Sequence, residues 1–473
     1  MPKTKFFLLF ISLFIFSFEY KIDEERIKLI DDTINSLVKK TRLKTLGLII
    51  TNKTETIHQK IYGETDKINA KTSPFVIGSI TKSFTALAIL KLNISLNQTI
   101  DIYDLTDYID KDFAKKTTVS ELLNGTSGLA RDEFKDQGTK GKFSYSNCGF
   151  ILLGKIIEKV SKKKYSEYIQ ENIFNPLQMT HSKAEYNKNI VDSYDNFLGF
   201  ITKYTGLKGE YGNGLYIPAG YISLSIEDMG HYLRYYLDDN NKEYISQITK
   251  ESIETDTNSY YGMGMEIFKN DFYTKYEHTG GTYSFLSDMI VYPQLDLAFF
   301  ITINTVDVFC ISTVINVKTT IENLIVYGSL DSIVDPSFFS THFTIDMFIF
   351  FIIAFPLTYL IITIIRKIKR KKYMWFIEIK GKIIFAIDLI LLIILPIILI
   401  IIFNVSSSMF LYRNLKDFIF TLYMFCSCLM VNFLIKLIYV FVYNKYLERQ
   451  NEMEKLKDAE DMKFDLTYDK ETD

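Results

Sequence analysis

The chain has 473 residues, of which 48% are hydrophobic, and a formal net charge of −2. This length exceeds the usual range of a single domain, so we expect at least two parts. The balanced charge and the lack of a basic patch with interleaved aromatic residues argue against a nucleic-acid partner. No glycine-rich phosphate loop appears, and the five histidines show no metal-ligand spacing, so we predict no metal or other cofactor.

The apolar N-terminal segment predicts export. Lys3 and Lys5 precede residues 6–16, which form a mostly apolar core. That length suits a secretory signal and is short for a membrane span. No clean small-residue cleavage site follows, so residues 1–19 are either a cleaved signal peptide or an N-terminal anchor. In both cases we expect the following domain, residues 20–335, to lie outside the cytoplasm.

The exported part opens with a predicted helix and a predicted pair of strands. Residues 22–41 have the apolar spacing of an amphipathic helix. Residues 45–51 and 55–62 have the composition of two strands joined by a turn at Asn52-Lys53. The inward-facing side chains of the predicted helix are Ile27, Leu29, Ile30, Ile34, Leu37 and Val38.

Ser79 and Lys82 are the first candidates for chemistry. They are three residues apart, so on a helix they share one face. The neighbouring stretches 74–78 and 84–90 are mostly apolar or small, whereas other serine–lysine pairs of this spacing lie in charged stretches. At a buried helix start, a lysine can lose its proton and activate the serine hydroxyl as a nucleophile.

Two further motifs follow in a fixed order. The first pairs a tyrosine with an asparagine, at Tyr145 and Asn147. The second is the histidine–threonine–glycine run from His278 to Gly281, which precedes a strand-like stretch over 282–292. A serine–lysine pair, a tyrosine–asparagine pair and a glycine-bearing strand edge are together the parts of an active-site serine acylase. The elements predicted next are a strand at 296–304 and a helix at 312–326.

Towards its C-terminus the sequence becomes strongly apolar. Three stretches are long enough to cross the hydrocarbon core of a membrane, at 344–365, 383–403 and 418–443. The basic cluster at 366–372 follows the first stretch and marks the cytoplasmic side. We therefore expect a multi-pass protein of the cell membrane that has the lipid bilayer as a partner. The catalytic domain would lie outside, and the charged tail, residues 444–473, inside.

Taken together, the three motifs resemble those of the class C β-lactamase and DD-peptidase superfamily, which includes penicillin-binding proteins. The likeness extends over roughly residues 22–330, and flanking segments at 118–129, 176–179, 218–225 and 261–265 strengthen it. Two positions depart from the family pattern. His278 stands in place of a lysine, as in the esterase and peptidase branches, and Tyr221 replaces a glycine. The first departure leaves open whether β-lactams are bound or hydrolysed.

The resemblance implies a fold as well as a site. The expected class is α+β, with an antiparallel sheet flanked by helices, beside a mainly helical lobe. The site would lie between the sheet and that lobe. A three-helix transmembrane module would follow this domain.

The resemblance also assigns roles. Ser79 would be the nucleophile that attacks an amide or ester carbonyl and forms an acyl-enzyme. Lys82 and Tyr145 would complete the catalytic group, and either could be the general base because the pair would titrate as a coupled unit. The backbone N–H groups of Ser79 and Gly281 would form an oxyanion hole, and His278 would meet a substrate carboxylate or another polar group. The substrate-binding and oxyanion residues are thus Asn147, His278, Thr279, Gly280 and Gly281.

The favoured hypothesis is a membrane-anchored serine hydrolase that acts on small peptides, amides or esters outside the cytoplasm. A domain of this kind with three C-terminal spans resembles the membrane-bound prodrug-activating peptidases. Two alternatives stay open: a penicillin-binding or ligand-sensing membrane receptor, and a membrane scaffold with an inactive site. The short cytoplasmic segments argue against the receptor, and the intact serine, lysine and tyrosine argue against the scaffold. The sequence leaves the substrate and the oligomeric state undetermined.

Overall fold

The computed structural model describes residues 20–197, 200–306, 311–329 and 416–468, with a few isolated positions before the last range. The chain divides into two compact units, Met1–Thr341 and His342–Asp473. The predicted signal or anchor at 1–19 and the predicted spans at 344–365 and 383–403 lie outside the continuously described ranges.

The strands all belong to the first unit. In chain order they are β1 (Thr45–Thr51), β2 (Thr56–Gly63), β3 (Phe75–Val76), β4 (Tyr194–Phe197), β5 (Phe200–Lys203), β6 (Ser223–Leu224), β7 (Ile253–Asp256), β8 (Ser259–Tyr261), β9 (Glu266–Lys269), β10 (Thr274–Gly281), β11 (Leu286–Tyr292), β12 (Leu297–Ile303) and β13 (Thr305–Val306). Eight of them form one sheet in the spatial order β2-β1-β12-β11-β10-β9-β8-β7. Every neighbouring pair in this sheet is antiparallel.

The helices of the first unit surround this sheet or form the lobe beside it. They are α1 (Glu24–Thr41), α2 (Thr81–Lys91), α3 (Lys111–Lys116), α4 (Val119–Leu123), α5 (Asn147–Ser161), α6 (Tyr165–Ile169), α7 (Leu207–Tyr211), α8 (Ile217–Gly220), α9 (Ile226–Leu237), α10 (Lys242–Ile248) and α11 (Ile311–Tyr327). The predicted α+β class with an antiparallel sheet flanked by helices is thereby confirmed.

The central strands are buried on both faces because a hydrophobic core lies on each side of the sheet. Successive side chains of a strand point to opposite faces. In β12, Phe299 and Ile301 therefore belong to a core that includes residues of α1 and α11. Ala298 and Phe300 belong to the second core, which extends into α9 and the helical lobe. The predicted amphipathic helix at the start of the domain is α1, and it supplies Ile30 to the first core.

Helix α2 lies in the middle of the helical lobe and is buried on nearly all sides. Its residues from Thr81 to Leu90 are all buried. Phe84 stacks on Tyr232 of α9 with ring centroids 3.7 Å apart, and it meets Phe174 edge-on at 6.1 Å. A helix that is apolar around its whole circumference belongs in a core. This environment removes Lys82 from water, whereas Lys91 at the end of α2 is partly exposed.

The stretch predicted as one strand over 282–292 is divided in the structure. The His278 motif ends its own strand, β10, and residues 282–285 form a turn before β11 begins. Two hydrogen bonds close this turn. The Thr282 nitrogen donates to the Phe285 carbonyl at 2.9 Å, and the Phe285 nitrogen donates to the Thr282 hydroxyl at 3.0 Å. The catalytic strand is thus the first arm of a hairpin, and its glycines lie next to the turn.

The second unit contains the long helix α12 (Lys416–Tyr468). This helix includes the residues of the third predicted span, 418–443, and much of the predicted charged tail, where residues 448–460 are exposed. Within the described part of the chain, no helix has both the length and the apolar character needed to cross a membrane. The structure therefore does not support the span predicted over 418–443.

Candidate active site

Ser79 lies in a single 3₁₀ turn, Gly78–Ile80, directly before α2. The chain reaches this point through β3, which pairs with β6. Gly78 has a φ of 55°, in the left-handed region that favours glycine. A Cβ added there would lie 2.3 Å from the Gly281 nitrogen, so the turn packs tightly against the end of β10. The Ser79 side chain is only partly buried, which leaves its hydroxyl open to a substrate.

Lys82 extends from the first turn of α2 and has no exposed surface. Its Nζ atom lies 3.0 Å from the Ser79 Oγ atom. It also lies 2.7 Å from the Asn147 Oδ1 atom and 2.6 Å from the Ala219 carbonyl oxygen. The structure therefore brings the predicted serine, lysine and asparagine into one hydrogen-bonded group.

The surroundings of the Lys82 amine disfavour its charged form. Burial is the main cause that holds the pKa of Lys82 well below its usual range; the Arg131 guanidinium lowers it further, and Asp132 opposes the shift. A neutral amine has two hydrogens and one lone pair. Its two carbonyl partners can only accept, so both hydrogens are directed to them. The lone pair is then left for the hydroxyl hydrogen of Ser79.

Asn147 is held at the start of α5. Ser146 caps this helix by accepting a hydrogen bond from the Gly149 nitrogen at 3.0 Å. The Asn147 Nδ2 atom donates to the Asp132 Oδ1 atom at 2.7 Å. Since the amide nitrogen is occupied in this way, the amide oxygen points to Lys82. Asp132 thereby fixes the orientation of the asparagine.

Tyr145 completes the group. Its hydroxyl forms a hydrogen bond with Ser79, and its ring centroid lies 4.8 Å from the Lys82 Nζ atom. The Arg131 guanidinium covers the ring at 5.1 Å. Burial raises the pKa of Tyr145, and the hydrogen bond with Ser79 only partly offsets this effect. Tyr145 therefore keeps its proton at neutral pH and can donate it.

The end of β10 forms the opposite wall of the site. Gly280 is required by close packing, because an added Cβ would lie 1.9 Å from the Ile77 carbonyl oxygen. The Ser287 hydroxyl donates to the same carbonyl at 2.8 Å and fixes the turn to the sheet. Strand β9 pairs with β10 only as far as Glu277, so the edge of β10 beyond that residue is not covered by β9. Gly281, at this open end, is exposed.

His278 is buried beside Tyr145, with ring centroids 6.3 Å apart. Its Nδ1 atom lies 2.8 Å from the Thr279 carbonyl oxygen, which can only accept, so Nδ1 carries the hydrogen. Burial is the main cause that lowers the pKa of His278 to about 3, and Lys82 lowers it further. The imidazole is therefore neutral near pH 7. Thr279, the next residue, is exposed.

The structure adds residues to the site that the sequence motifs did not indicate. Ala219 contributes a backbone oxygen, and any residue has one, so no side-chain pattern marks it. Gly264 lies so close to α2 that an added Cβ would come within 2.9 Å of the Lys82 carbonyl carbon. Arg131 and Asp132 sit on the loop before the tyrosine motif and carry the charges nearest to it. The same loop contains five other charged residues, so nothing in the sequence singles out these two; the others are Glu133, Lys135, Asp136, Lys140 and Lys142.

The arrangement supplies what an acyl transfer needs: a reachable hydroxyl, a neutral amine beside it, a protonated phenol and backbone N–H groups. In the described part of the chain, no group of three or more histidine, cysteine, aspartate or glutamate side chains is placed to hold a metal ion.

Comparison with known proteins places this site in a family. The Beta-lactamase family profile matches residues 30–308, more than half of the chain. "Protein flp" from Staphylococcus aureus strain MRSA252 is 28% identical over 262 residues, which are 48% of this chain and 52% of that protein. "Putative penicillin-binding protein PbpX" from Bacillus subtilis strain 168 is 28% identical over 279 residues, 52% of this chain and 68% of that one. The chain thus spans about half the length of the Staphylococcus relative.

A solved structure shares the fold. The octameric penicillin-binding protein homologue from Pyrococcus abyssi aligns with a TM-score of 0.51 and 22% sequence identity. The alignment covers 59% of this chain and 73% of that one. At this level of identity the likeness concerns the fold alone.

We predict that Gly280→Ala strongly slows acylation at Ser79, by about tenfold or more, because the added methyl would push the end of β10 away from the Ser79 turn. The rate of covalent labelling by a fluorophosphonate measures this effect. Gly209→Ala is the matched control, since an added Cβ there meets nothing within 4 Å. Equal labelling rates in both variants would show that the contact does not position the site.

Proposed function

The chain belongs to the beta-lactamase family, whose members are typically serine hydrolases, and we propose that it hydrolyses amides, peptides or esters through an acyl-enzyme on Ser79. The observation that carries this proposal is the buried Lys82 amine, 3.0 Å from the Ser79 hydroxyl oxygen. A serine hydroxyl is a weak nucleophile until a base accepts its proton. An amine kept neutral by burial, at hydrogen-bond distance, is such a base.

Between the two candidates for the general base, the geometry favours Lys82. Its lone pair is the part of the amine that remains for Ser79, whereas Tyr145 is protonated because its pKa is raised by burial. We therefore assign the first proton transfer to Lys82. Tyr145 then donates its proton to the leaving group, which leaves a phenolate at Tyr145 that can accept a proton from water and an ammonium at Lys82 that can return one to the serine oxygen. The two groups exchange roles when water attacks the acyl-enzyme.

The carbonyl oxygen of the substrate would lie between the Ser79 turn and the end of β10. The two chain segments that carry Ser79 and Gly281 pack tightly against each other, which supports the assignment of their backbone nitrogens as the donors to this oxygen. Two such donors stabilise the negative charge that develops on the oxygen, and the loss of one typically costs about 10²–10³ in rate. The uncovered edge of β10 beyond Glu277 offers further backbone groups to an extended substrate.

Penicillin binding is the second candidate function. It is supported by the similarity to the Bacillus subtilis relative, which is named a putative penicillin-binding protein. A penicillin would acylate the same serine, so this function differs from the first in the fate of the acyl group. A stable adduct indicates a penicillin-binding protein or receptor, whereas rapid release indicates a hydrolase. An inactive scaffold would form no adduct.

We further propose that the domain acts outside the cytoplasm and that the chain is anchored in the membrane. Support comes from the apolar character of residues 6–16, 344–365 and 383–403 in the sequence. The basic cluster at 366–372 gives the orientation, because cytoplasmic loops are enriched in lysine and arginine.

The full-length protein is expected to form a covalent adduct with a fluorophosphonate on the peptide that contains Ser79. Ser79→Ala removes the nucleophile and should abolish both the adduct and the turnover of a 4-nitrophenyl ester. Mass spectrometry and absorbance measure the two effects. A fluorescent penicillin tests the second function in the same way. Labelling that persists in Ser79→Ala would contradict the assignment of the nucleophile.

Lys82→Arg and Tyr145→Phe separate the base from the proton donor. Arginine stays charged, so Lys82→Arg should lower kcat/KM by about 10²–10⁴ on both an anilide and a 4-nitrophenyl ester. Tyr145→Phe should lower kcat/KM by a similar factor on the anilide and by much less on the ester, because nitrophenolate leaves without a proton. In the wild type, kcat/KM should rise as the pH rises through the lowered pKa of Lys82, and deprotonation of Tyr145 should not lower it below pH about 10. Equal losses on both substrates for Tyr145→Phe would make the tyrosine the base.

The location is tested with single cysteines on the two sides of the proposed membrane. Phe272, which is 83% exposed, lies on the hydrolase domain, and Lys369 belongs to the basic cluster that gives the orientation. In intact spheroplasts, a membrane-impermeant maleimide should label Phe272→Cys but not Lys369→Cys, and after lysis it should label both. The native cysteines are first replaced by alanine, so that only the introduced cysteine reacts; they are Cys148, Cys310, Cys426 and Cys428. Protection of Phe272→Cys before lysis would contradict an external domain.

A further inference from the structure

The side chains at the end of β10 offer a substrate hydrogen-bond acceptors instead of donors. His278 illustrates this pattern. Its one ring hydrogen is used by the Thr279 carbonyl at 2.8 Å. The other ring nitrogen, Nε2, is buried and has no hydrogen-bond partner among the described residues. A buried polar atom without a partner carries a free-energy penalty, which a substrate group can relieve only by donating a hydrogen.

Thr279, whose side chain lies on the other face of the strand, is also left with only an acceptor. Its hydroxyl donates to the Asp288 Oδ1 atom at 2.6 Å, and the Lys318 amine donates to the hydroxyl at 3.4 Å. The hydroxyl hydrogen is therefore already in use. What Thr279 presents at the exposed strand end is an oxygen that can only accept.

The cation nearest to this strand end is already paired. Lys318 of α11 forms ion pairs with Glu277, which is buried, and with the Asp288 Oδ1 atom at 2.8 Å. Lys275 also pairs with Glu277 and, at 3.2 Å, with Glu322, so three carboxylates oppose two ammonium groups. A further carboxyl group, that of Glu266 on β9, carries only part of a negative charge near neutral pH, because burial raises its pKa to about 7. The charges around β10 therefore do not favour a carboxylate on the substrate.

Arg131 is the other cation near the site, and its surroundings also limit it as a carboxylate ligand. The guanidinium lies over the Tyr145 ring at 5.1 Å. Its Nε atom is 3.8 Å from the Asp132 carboxylate, whose other oxygen is hydrogen-bonded to Asn147. A substrate carboxylate that approached Arg131 would meet the negative charge of Asp132 as well.

Building on the proposed hydrolase function, we propose that the substrate carries a hydrogen-bond donor, preferably an ammonium group, that binds at the His278–Thr279 end of β10. Substrates with a carboxylate in that place are rejected. This replaces the sequence-based expectation that His278 meets a substrate carboxylate. A neutral imidazole whose single hydrogen is bonded to the backbone has none to donate to a carboxylate, and its lone pair repels one.

Two sets of anilides test this assignment on the full-length protein at neutral pH. In the first set the acyl group is 3-aminopropanoyl, butanoyl or butanedioyl, so that only the terminal group changes. In the second set acetanilides carry an aminomethyl, ethyl or carboxymethyl group on the leaving amine. In at least one set, kcat/KM for the ammonium member should exceed that for the carboxylate member by about tenfold or more.

Substitution of His278 then shows whether this residue causes the preference. His278→Lys places a cation at the strand end and should shift the ratio towards the carboxylate member by about tenfold or more. His231→Lys on α9 is the matched control, because the charged groups that act on His231 are Arg234, Asp228 and Glu227, none of them in the site. Its ratio should equal that of the wild type. Fluorophosphonate labelling of Ser79 confirms that each variant is folded.

The outcomes are distinct. If no anilide is hydrolysed and Ser79 forms no adduct, the proposed function is wrong and this inference falls with it. If turnover occurs but the carboxylate member equals or exceeds the ammonium member in both sets, the inference alone is wrong. A carboxylate preference that is lost in Arg131→Gln would assign substrate recognition to Arg131 instead. An ammonium preference that is unchanged in His278→Lys would also overturn the role of His278.

Discussion

The removal of the Lys82 amine from water is the constraint on which the chemistry of this protein depends. A lysine in solvent keeps its proton and cannot accept another from a serine. Here the helix that carries it is buried on nearly all sides, and carbonyl oxygens of Asn147 and Ala219 receive its hydrogens. Burial disfavours the ammonium form, and the two carbonyl acceptors orient the hydrogens of the neutral amine. The same core that stabilises the lobe therefore creates the base.

A second constraint is the close approach of the backbone segments around the serine. The Ser79 turn lies against β10 so tightly that neither Gly78 nor Gly280 has room for a side chain. This contact brings the Gly281 nitrogen, from a distant part of the chain, close to the turn that holds the serine. A rigid, preformed pair of donors needs no reorganisation when negative charge develops on a substrate oxygen. The hairpin turn after Gly281 and the bond from Ser287 to Ile77 hold that contact.

Charge around the site is distributed so that each catalytic group keeps the protonation state its task requires. Burial disfavours the ammonium form of Lys82, Tyr145 and the His278 Nδ1 atom keep their hydrogens, and the Lys318 amine is opposed by carboxylates. Most of these states result from burial instead of contact with a single partner. The result is a site whose donors are backbone N–H groups and a phenol. Its side-chain acceptors face the place where the rest of a substrate would lie.

The sequence by itself determined the class of the fold, the order of the motifs and the candidates for the catalytic side chains, because these depend on residue type and on local periodicity. It determined α1, β1, β2, β12 and α11 nearly to their ends, since their apolar spacing is regular. It failed at residues 282–285, where a tight turn interrupts an apolar run, and it missed β7 to β9, which are short and partly exposed. Only the tertiary structure decided that Ala219 orients Lys82, and that His278 presents an acceptor. Those properties depend on which backbone atoms come within hydrogen-bond distance across the fold, and every residue type has the same backbone atoms.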